Sequence, residues 1–361
     1  MTGVATKPAA AAEPAFPQAT IDRIDAAVKS GLETFKAPGA VVGLWIPGQG
    51  SYVKAYGFSD REKQTPMTVD DHFRIGSITK TFTVTALLQL VQKQAVKLSD
   101  PIGKYLPFVP RGNDMTLRML ANMTSGIASY TFDEGFIKEV YTKPDTQFTP
   151  RQLVDIAFKM KRDFEPGKGW SYCNTNTVLL GMLIEKVTQQ SIADVFSSMI
   201  LKKLNLTQTF WPTSGAIPAP YAHGITDYDG KQLDATNWNP SWGFTAGQMI
   251  SNVSDLRTWV KSYTTGSLLT PALQKERTTW VTLPPNSPKR AYGLGIGIDN
   301  GWLGHTGELP GYNCAGYYLP AKDAVFVVEV NSDIAGPDKA NPAPAVFKSI
   351  TKILTPDNLP A

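Results

Sequence analysis

Cysteine and histidine are nearly missing from this chain, with two of the first and three of the second in 361 residues. Cys173 and Cys314 are too few for a disulfide scaffold and have no metal-ligand spacing. Two unpaired thiols are therefore expected, with a single long-range bridge as the alternative. His72, His223 and His305 are widely separated and lack a paired carboxylate pattern, so no metal or other cofactor is expected. No stretch approaches the roughly 18 uninterrupted apolar residues of a membrane span. Lys and Arg exceed Asp and Glu by a net charge of only +4 and are not interleaved with aromatics in a cluster, which argues against a nucleic-acid partner. There is no internal repeat, and no Gly-x-Ser-x-Gly elbow of the kind that opens a Ser-His-Asp hydrolase site.

What remains is an ordinary globular composition, 42% hydrophobic and 18% charged, long enough for a large core and two subdomains. Residues 1–16 are rich in Ala and Pro without an apolar signal core and are expected to be a disordered leader or the stub of a processed one. Ile21, Ile24, Val28, Leu32 and Phe35 recur at helical spacing after Thr20, a candidate N-cap. Ala40 to Ile46 and Tyr52 to Phe58 read as two strands joined by the Pro47-Gly48-Gln49-Gly50 turn. From Thr116 to Lys203 the pattern is mainly helical, with candidates at Thr116 to Asn122, Thr149 to Lys159, Thr175 to Thr188 and Ile192 to Leu201. Tyr221 to Ser241 reads as a polar loop.

Strand-like runs return at Tyr292 to Ile298, Trp302 to His305, Cys314 to Leu319 and Ala324 to Asn331, before a final helix near Ala345 to Leu354. Gly293, Gly295 and Gly297 lie in the first of these runs without the strand and helix that a dinucleotide loop needs. Strands at both ends around a helical middle predict an α/β (α+β) fold, an antiparallel sheet flanked by helices plus a mainly helical subdomain. The expected division is 17–95 with 250–361 for the sheet and 96–249 for the helices.

Ser77-Ile78-Thr79-Lys80 falls where an extended segment, His72 to Gly76, turns into an apolar helix. A serine hydroxyl is a weak nucleophile at its own pKa, and a lysine one turn later lies on the same face, able to take or steer its proton. The helix start also favours developing negative charge. A second match, Ser51-Tyr52-Val53-Lys54, lies in a strand-like run where residues three apart point to opposite faces. Tyr172-Cys173-Asn174 lies between the Pro166-Gly167-Lys168-Gly169 turn and a helix, so that the phenol and the carboxamide can share one side. His305-Thr306-Gly307 follows a strand-like run, and its glycine permits close approach of a substrate.

In this order, with Phe73 through Lys80, Thr124-Ser125-Gly126, Tyr172 through Asn176, Trp242 through Gly247 and Tyr292 through Gly295, the chain resembles the serine beta-lactamase and penicillin-binding protein superfamily. It is most similar to the branch holding D-alanyl-D-alanine carboxypeptidases and class C beta-lactamases. The resemblance implies an acyl-enzyme on Ser77, proton transfer shared by Lys80 and Tyr172 with either as base, and an oxyanion hole from the backbone N–H groups of Ser77 and Glu308. It further implies that Asn174 holds the substrate's amide carbonyl, that His305 and Thr306 orient the leaving side or a carboxylate beside Gly307, and that Trp242 lines the acyl pocket.

Histidine at 305, where class C beta-lactamases carry lysine, argues against efficient beta-lactam hydrolysis. The arginine that carboxypeptidases of the branch place after Tyr-Gly-Leu-Gly is absent, and Arg290 is the candidate substitute. A carboxypeptidase-like hydrolase is therefore expected, with an esterase or D-amino-acid amidase, or a catalytically silent relative, as alternatives. The expected partner is a small-molecule or peptide substrate, the expected state a monomer. Export would follow from a cell-wall substrate.

Overall fold

The run Gly39–Ile46 forms strand β1, and every residue of it is buried. Ala40, Val42, Leu44 and Ile46 enter one apolar cluster while Val41 and Trp45 enter another, so β1 is covered on both faces. In the computed structural model, which describes residues 14–283 and 289–361, β1 is flanked by β2 (Gly50–Asp60) and by a strand from the far end of the chain. With β3 (Thr65–Pro66), β4 (Val281–Thr282), β5 (Arg290–Tyr292), β6 (Gly297–Asp299), β7 (Trp302–Leu309), β8 (Tyr312–Leu319) and β9 (Ala324–Val330), they make a nine-stranded sheet in the order β3-β2-β1-β9-β8-β7-β6-β5-β4. All its pairings among the described residues are antiparallel. The α/β architecture, with an antiparallel sheet built from both ends of the chain, is the expected one.

Helices cover both faces. Ile24 and Val28 of α1 (Gln18–Phe35) pack with Val346, Phe347 and Ile350 of the last helix, Pro342–Leu354, against Val42, Phe326 and Val328. On the other face α2 (Thr79–Gln92) and the helix Val253–Thr265 belong to the larger cluster, which extends into the helical region between residues 96 and 249. α2 is buried over Thr79 to Leu90, unlike a one-sided surface helix.

Several local expectations are corrected. α1 starts at Gln18 after Pro17, and the Thr20 N–H donates to the Pro17 carbonyl instead of Thr20 capping the helix. Of the expected leader, residues 1–13 lie outside the described residues, but Phe16 is buried and the Ser51 N–H bonds to the Pro14 carbonyl, which ties this segment to β2. Tyr292 to Ile298 is two strands, β5 and β6. Between them Gly295 takes a φ of +64°, where a Cβ would stand 2.6 Å from Val84, and its N–H donates to the Ala121 carbonyl. The loop from Tyr221 to Ser241 holds a hairpin, Ile225–Tyr228 with Lys231–Asp234. The helix at Ile192 ends at Phe196 and continues as a π-turn over Ser197–Leu201. Cys173 and Cys314 are free and buried. In the second Ser-x-x-Lys match, Lys54 lies on β2 and pairs with Asp25 at 2.6 Å.

Candidate active site

Two glycines bring the Ser77 turn against the sheet. Gly76 has a φ of +50°, and a Cβ there would meet the Glu308 nitrogen at 2.3 Å; a Cβ on Gly307 would meet the Ile75 carbonyl at 1.9 Å. Only residues without a side chain let β7 and the turn touch so closely. Ser77 sits in a single 3-10 turn, Gly76–Ile78, that runs directly into α2. One turn on, Lys80 is completely buried, its Nζ 2.8 Å from Ser77 Oγ and 2.7 Å from the Ala246 carbonyl. Burial drives its pKa well below that of a free lysine, opposed only by Cys173, so the site favours the neutral amine.

Tyr172 and Asn174 both face the same cavity, while Cys173 between them is buried elsewhere. Lys80 Nζ lies 4.9 Å from the Tyr172 ring centre. Burial raises the phenol pKa, with the nearby Ser77 hydroxyl opposing. The Tyr172 hydroxyl nevertheless has no hydrogen bond of acceptable geometry among the described residues, so its proton is uncommitted. Asn174 opens the helix Asn174–Thr188; its Nδ2 donates to Thr131 Oγ1 at 2.9 Å and its N–H to Ser129 Oγ at 3.0 Å.

His305 lies on β7 with both ring nitrogens engaged. Nδ1 is 2.6 Å from the Thr306 carbonyl, which can only accept, so the proton sits on Nδ1, and Nε2 accepts from the Tyr292 hydroxyl at 3.0 Å. Burial, then the Lys80 charge, push its pKa down to about 4. His305 is thus a neutral ring with no spare nitrogen.

The cavity that opens on Ser77 has a volume of about 540 Å³. Tyr172, Asn174, Trp242, His305, Thr306 and Glu308 all line it, whereas Gly307 is not in the lining and instead packs against Ile75. Its apolar wall is Phe136, Ile137 and Val140 with Tyr141. The charged side chains of the lining are two carboxylates, Glu308 and Asp333. Burial raises the Glu308 pKa against a 2.6 Å hydrogen bond from Asn341. Asp333 is pushed up to about 7 by burial, against hydrogen bonds from the Gly311 N–H and the Thr226 hydroxyl.

A smaller cavity of about 160 Å³ shares Tyr172, His305 and Thr306 and holds Arg290. Arg290 faces Asp299 at 3.5 Å. Among the described residues no group of three or more His, Cys, Asp or Glu side chains could hold a metal ion, and no helix is long and apolar enough to cross a membrane.

The beta-lactamase family pattern matches residues 24–349. The chain belongs to the beta-lactamase family. Its membership makes it a serine hydrolase, and the turn from Ser77 to Lys80 lies within the matched residues. Among solved members, a D-stereospecific amidohydrolase from a Streptomyces species is 33% identical, with a TM-score of 0.82 over 91% of this chain and 97% of that one. D-amino acid amidase from Ochrobactrum anthropi SV3 is 26% identical, with a TM-score of 0.81 over 92% and 98%. Protein flp of Staphylococcus aureus is 25% identical over 250 residues, 66% of this chain. The match spans only about half the length of such curated relatives, 48% for flp.

Within this family site, sequence reasoning missed Ser129, Thr131, Phe136, Tyr141, Tyr292 as the His305 partner, and Asp333. The local signals were Thr124-Ser125-Gly126, just before Ser129, and the family-like stretch Tyr292 through Gly295, which did not reveal the His305 contact. Asp333 had none, because it reaches the cavity from beyond β9.

Proposed function

We propose that this chain hydrolyses amides and esters of D-amino acids bearing a free amine. Ser77 Oγ attacks the carbonyl carbon while neutral Lys80 takes its proton, and the uncommitted Tyr172 hydroxyl donates to the departing nitrogen as the C–N bond breaks. The Ser77 and Glu308 N–H groups hold the oxyanion. Water then attacks the ester, gives its proton back through the same groups, and releases the acid and Ser77. Asn174 and Trp242 border the acyl group; Thr306 lies on the leaving side. A single copy carries every side chain of this scheme, so a monomer suffices.

The carrying observation is that the cavity on Ser77 is lined by two carboxylates, Glu308 and Asp333, with no Lys or Arg in that lining. Such a lining accepts the ammonium of an unblocked amino-acyl group and disfavours an N-acylated peptide. On the leaving side Arg290 is faced by Asp299 and His305 is neutral, which leaves a terminal carboxylate poorly served. The D configuration rests on the two amidases named above, one of which has been solved with D-phenylalanine.

The test is turnover and intact mass with D- and L-phenylalanine amide, p-nitrophenyl acetate and a D-Ala-D-Ala peptide. D-amide hydrolysis with an adduct on Ser77 is expected. Peptide turnover without amide turnover would restore the carboxypeptidase reading, and retained turnover by pure Ser77→Ala would remove the mechanism.

A further inference from the structure

The most exposed large apolar side chain among the described residues is Phe132, 67% accessible, ahead of Val53 at 41%. It is not a loose loop tip. It ends the turn Tyr130–Phe132, whose N–H groups close back on the chain, Phe132 to the Ser129 carbonyl at 3.0 Å and Asp133 to that of Tyr130 at 3.1 Å. On one side Thr131 Oγ1 holds Asn174; on the other Asp133 caps the helix Glu134–Thr142 through the Phe136 N–H at 2.8 Å. A backbone pinned this way leaves the ring only its own torsions.

That ring stands at the 540 Å³ cavity, on the same lining as Asn174 and Ser77. The aromatic side chains deeper in the wall are satisfied by one another. Phe136 meets Tyr130, Phe148 and Trp242, with centroids 5.1, 5.4 and 6.1 Å away, and Tyr141 stacks on Tyr228 at 4.6 Å. Phe132 has no ring contact among the described residues. Apolar area left in water on a rigid mount gains free energy when something covers it, and a second ring does so with the added preference of aromatic pairs.

We infer that Phe132 is a specificity-determining residue that closes over the side chain of the acyl group, so that the site selects aromatic acyl groups over small ones. This rests on the reading that the cavity receives the acyl part of the substrate. The ring lines the same cavity as Phe136, Ile137 and Val140, so a bulky apolar substituent there has both the wall and the exposed ring to cover, and a methyl group covers little of either.

The experiment compares p-nitrophenyl phenylacetate with p-nitrophenyl acetate, and D-phenylalanine amide with D-alanine amide, for the wild type, Phe132→Ala and Phe132→Trp. The aromatic-to-small ratio of kcat/KM should fall about tenfold in Phe132→Ala, through KM, and stay within about twofold in Phe132→Trp. An unchanged ratio in Phe132→Ala, or an equal loss on both members of a pair, overturns the inference. So does a melting temperature several degrees lower, since the ring would then be serving the fold. If the ester ratio falls as expected while neither amide is turned over, Phe132 keeps its role and the D-amide reading is the one that fails.

Discussion

The Tyr292 hydroxyl donates to His305 Nε2 across 3.0 Å, and this fixes the imidazole as a neutral acceptor beside Lys80. Unfolded, the ring takes a proton near 6.5; folded, it resists down to about 4. Between these values the unfolded chain binds more protons, so stability falls as pH drops through that window. Denaturant midpoints should therefore fall from pH 7 to pH 4.5, and His305→Gln should reduce that fall.

Lys80 presents a different consequence of burial. Because its pKa is lowered, the neutral amine becomes accessible far below the range of a free lysine, and the acid limb of kcat/KM should titrate correspondingly low. Lys80→Arg keeps a permanent charge and should reduce acylation by at least about 100-fold, read as the burst of nitrophenolate. A near-normal burst would assign the base elsewhere.

Tyr172→Phe separates the two proton transfers. An amine leaving group must be protonated as it departs, whereas nitrophenolate departs without help. Amide turnover should drop by roughly 100-fold and p-nitrophenyl acetate turnover by far less. Equal losses on the two substrates would make Tyr172 the base for attack.

Asp333 titrates near neutrality, and its sign is that of a raised carboxyl: ionised above about 7, protonated below. The KM for an amine-bearing substrate should rise as pH falls through that value. Asp333→Asn should give a high KM that is flat across the same range, with little change for the acetate ester.

Glu329 on β9 is fully buried, faces Cys314 and Val41 across the neighbouring strands, and has no hydrogen-bond partner among the described residues for either oxygen. Burial, with nearby Asp71 adding to it, raises its pKa well above 4.5, so it opposes folding increasingly as pH rises above that value. Glu329→Met should stabilise the protein by about 2 kcal/mol near pH 8. The gain should shrink toward pH 4.5 in chemical melts.

Local chemistry was legible where neighbours in sequence stay neighbours in space. Ser77 with Lys80 needs only one helical turn, and Tyr172 with Asn174 only an extended tripeptide. The strands β1 and β2 declare themselves through a short apolar run, an alternating one and the Pro-Gly turn between them. Tyr292 to Ile298 misled because alternating glycines look like strand, while Gly295 in fact turns the chain to reach Ala121. Phe132, Tyr292 and Asp333 were invisible as site residues: each meets the cavity or His305 only after distant elements pack, and no period or spacing encodes that.

The sheet's seam has a bearing on when activity can begin. β1 is hydrogen-bonded to β9, and the Ser77 turn is braced by Gly307 and Glu308 on β7. Pairings this far apart in sequence form late, after much loop closure. During synthesis the nucleophile therefore emerges long before β7, the strand whose Gly307 and Glu308 brace its turn.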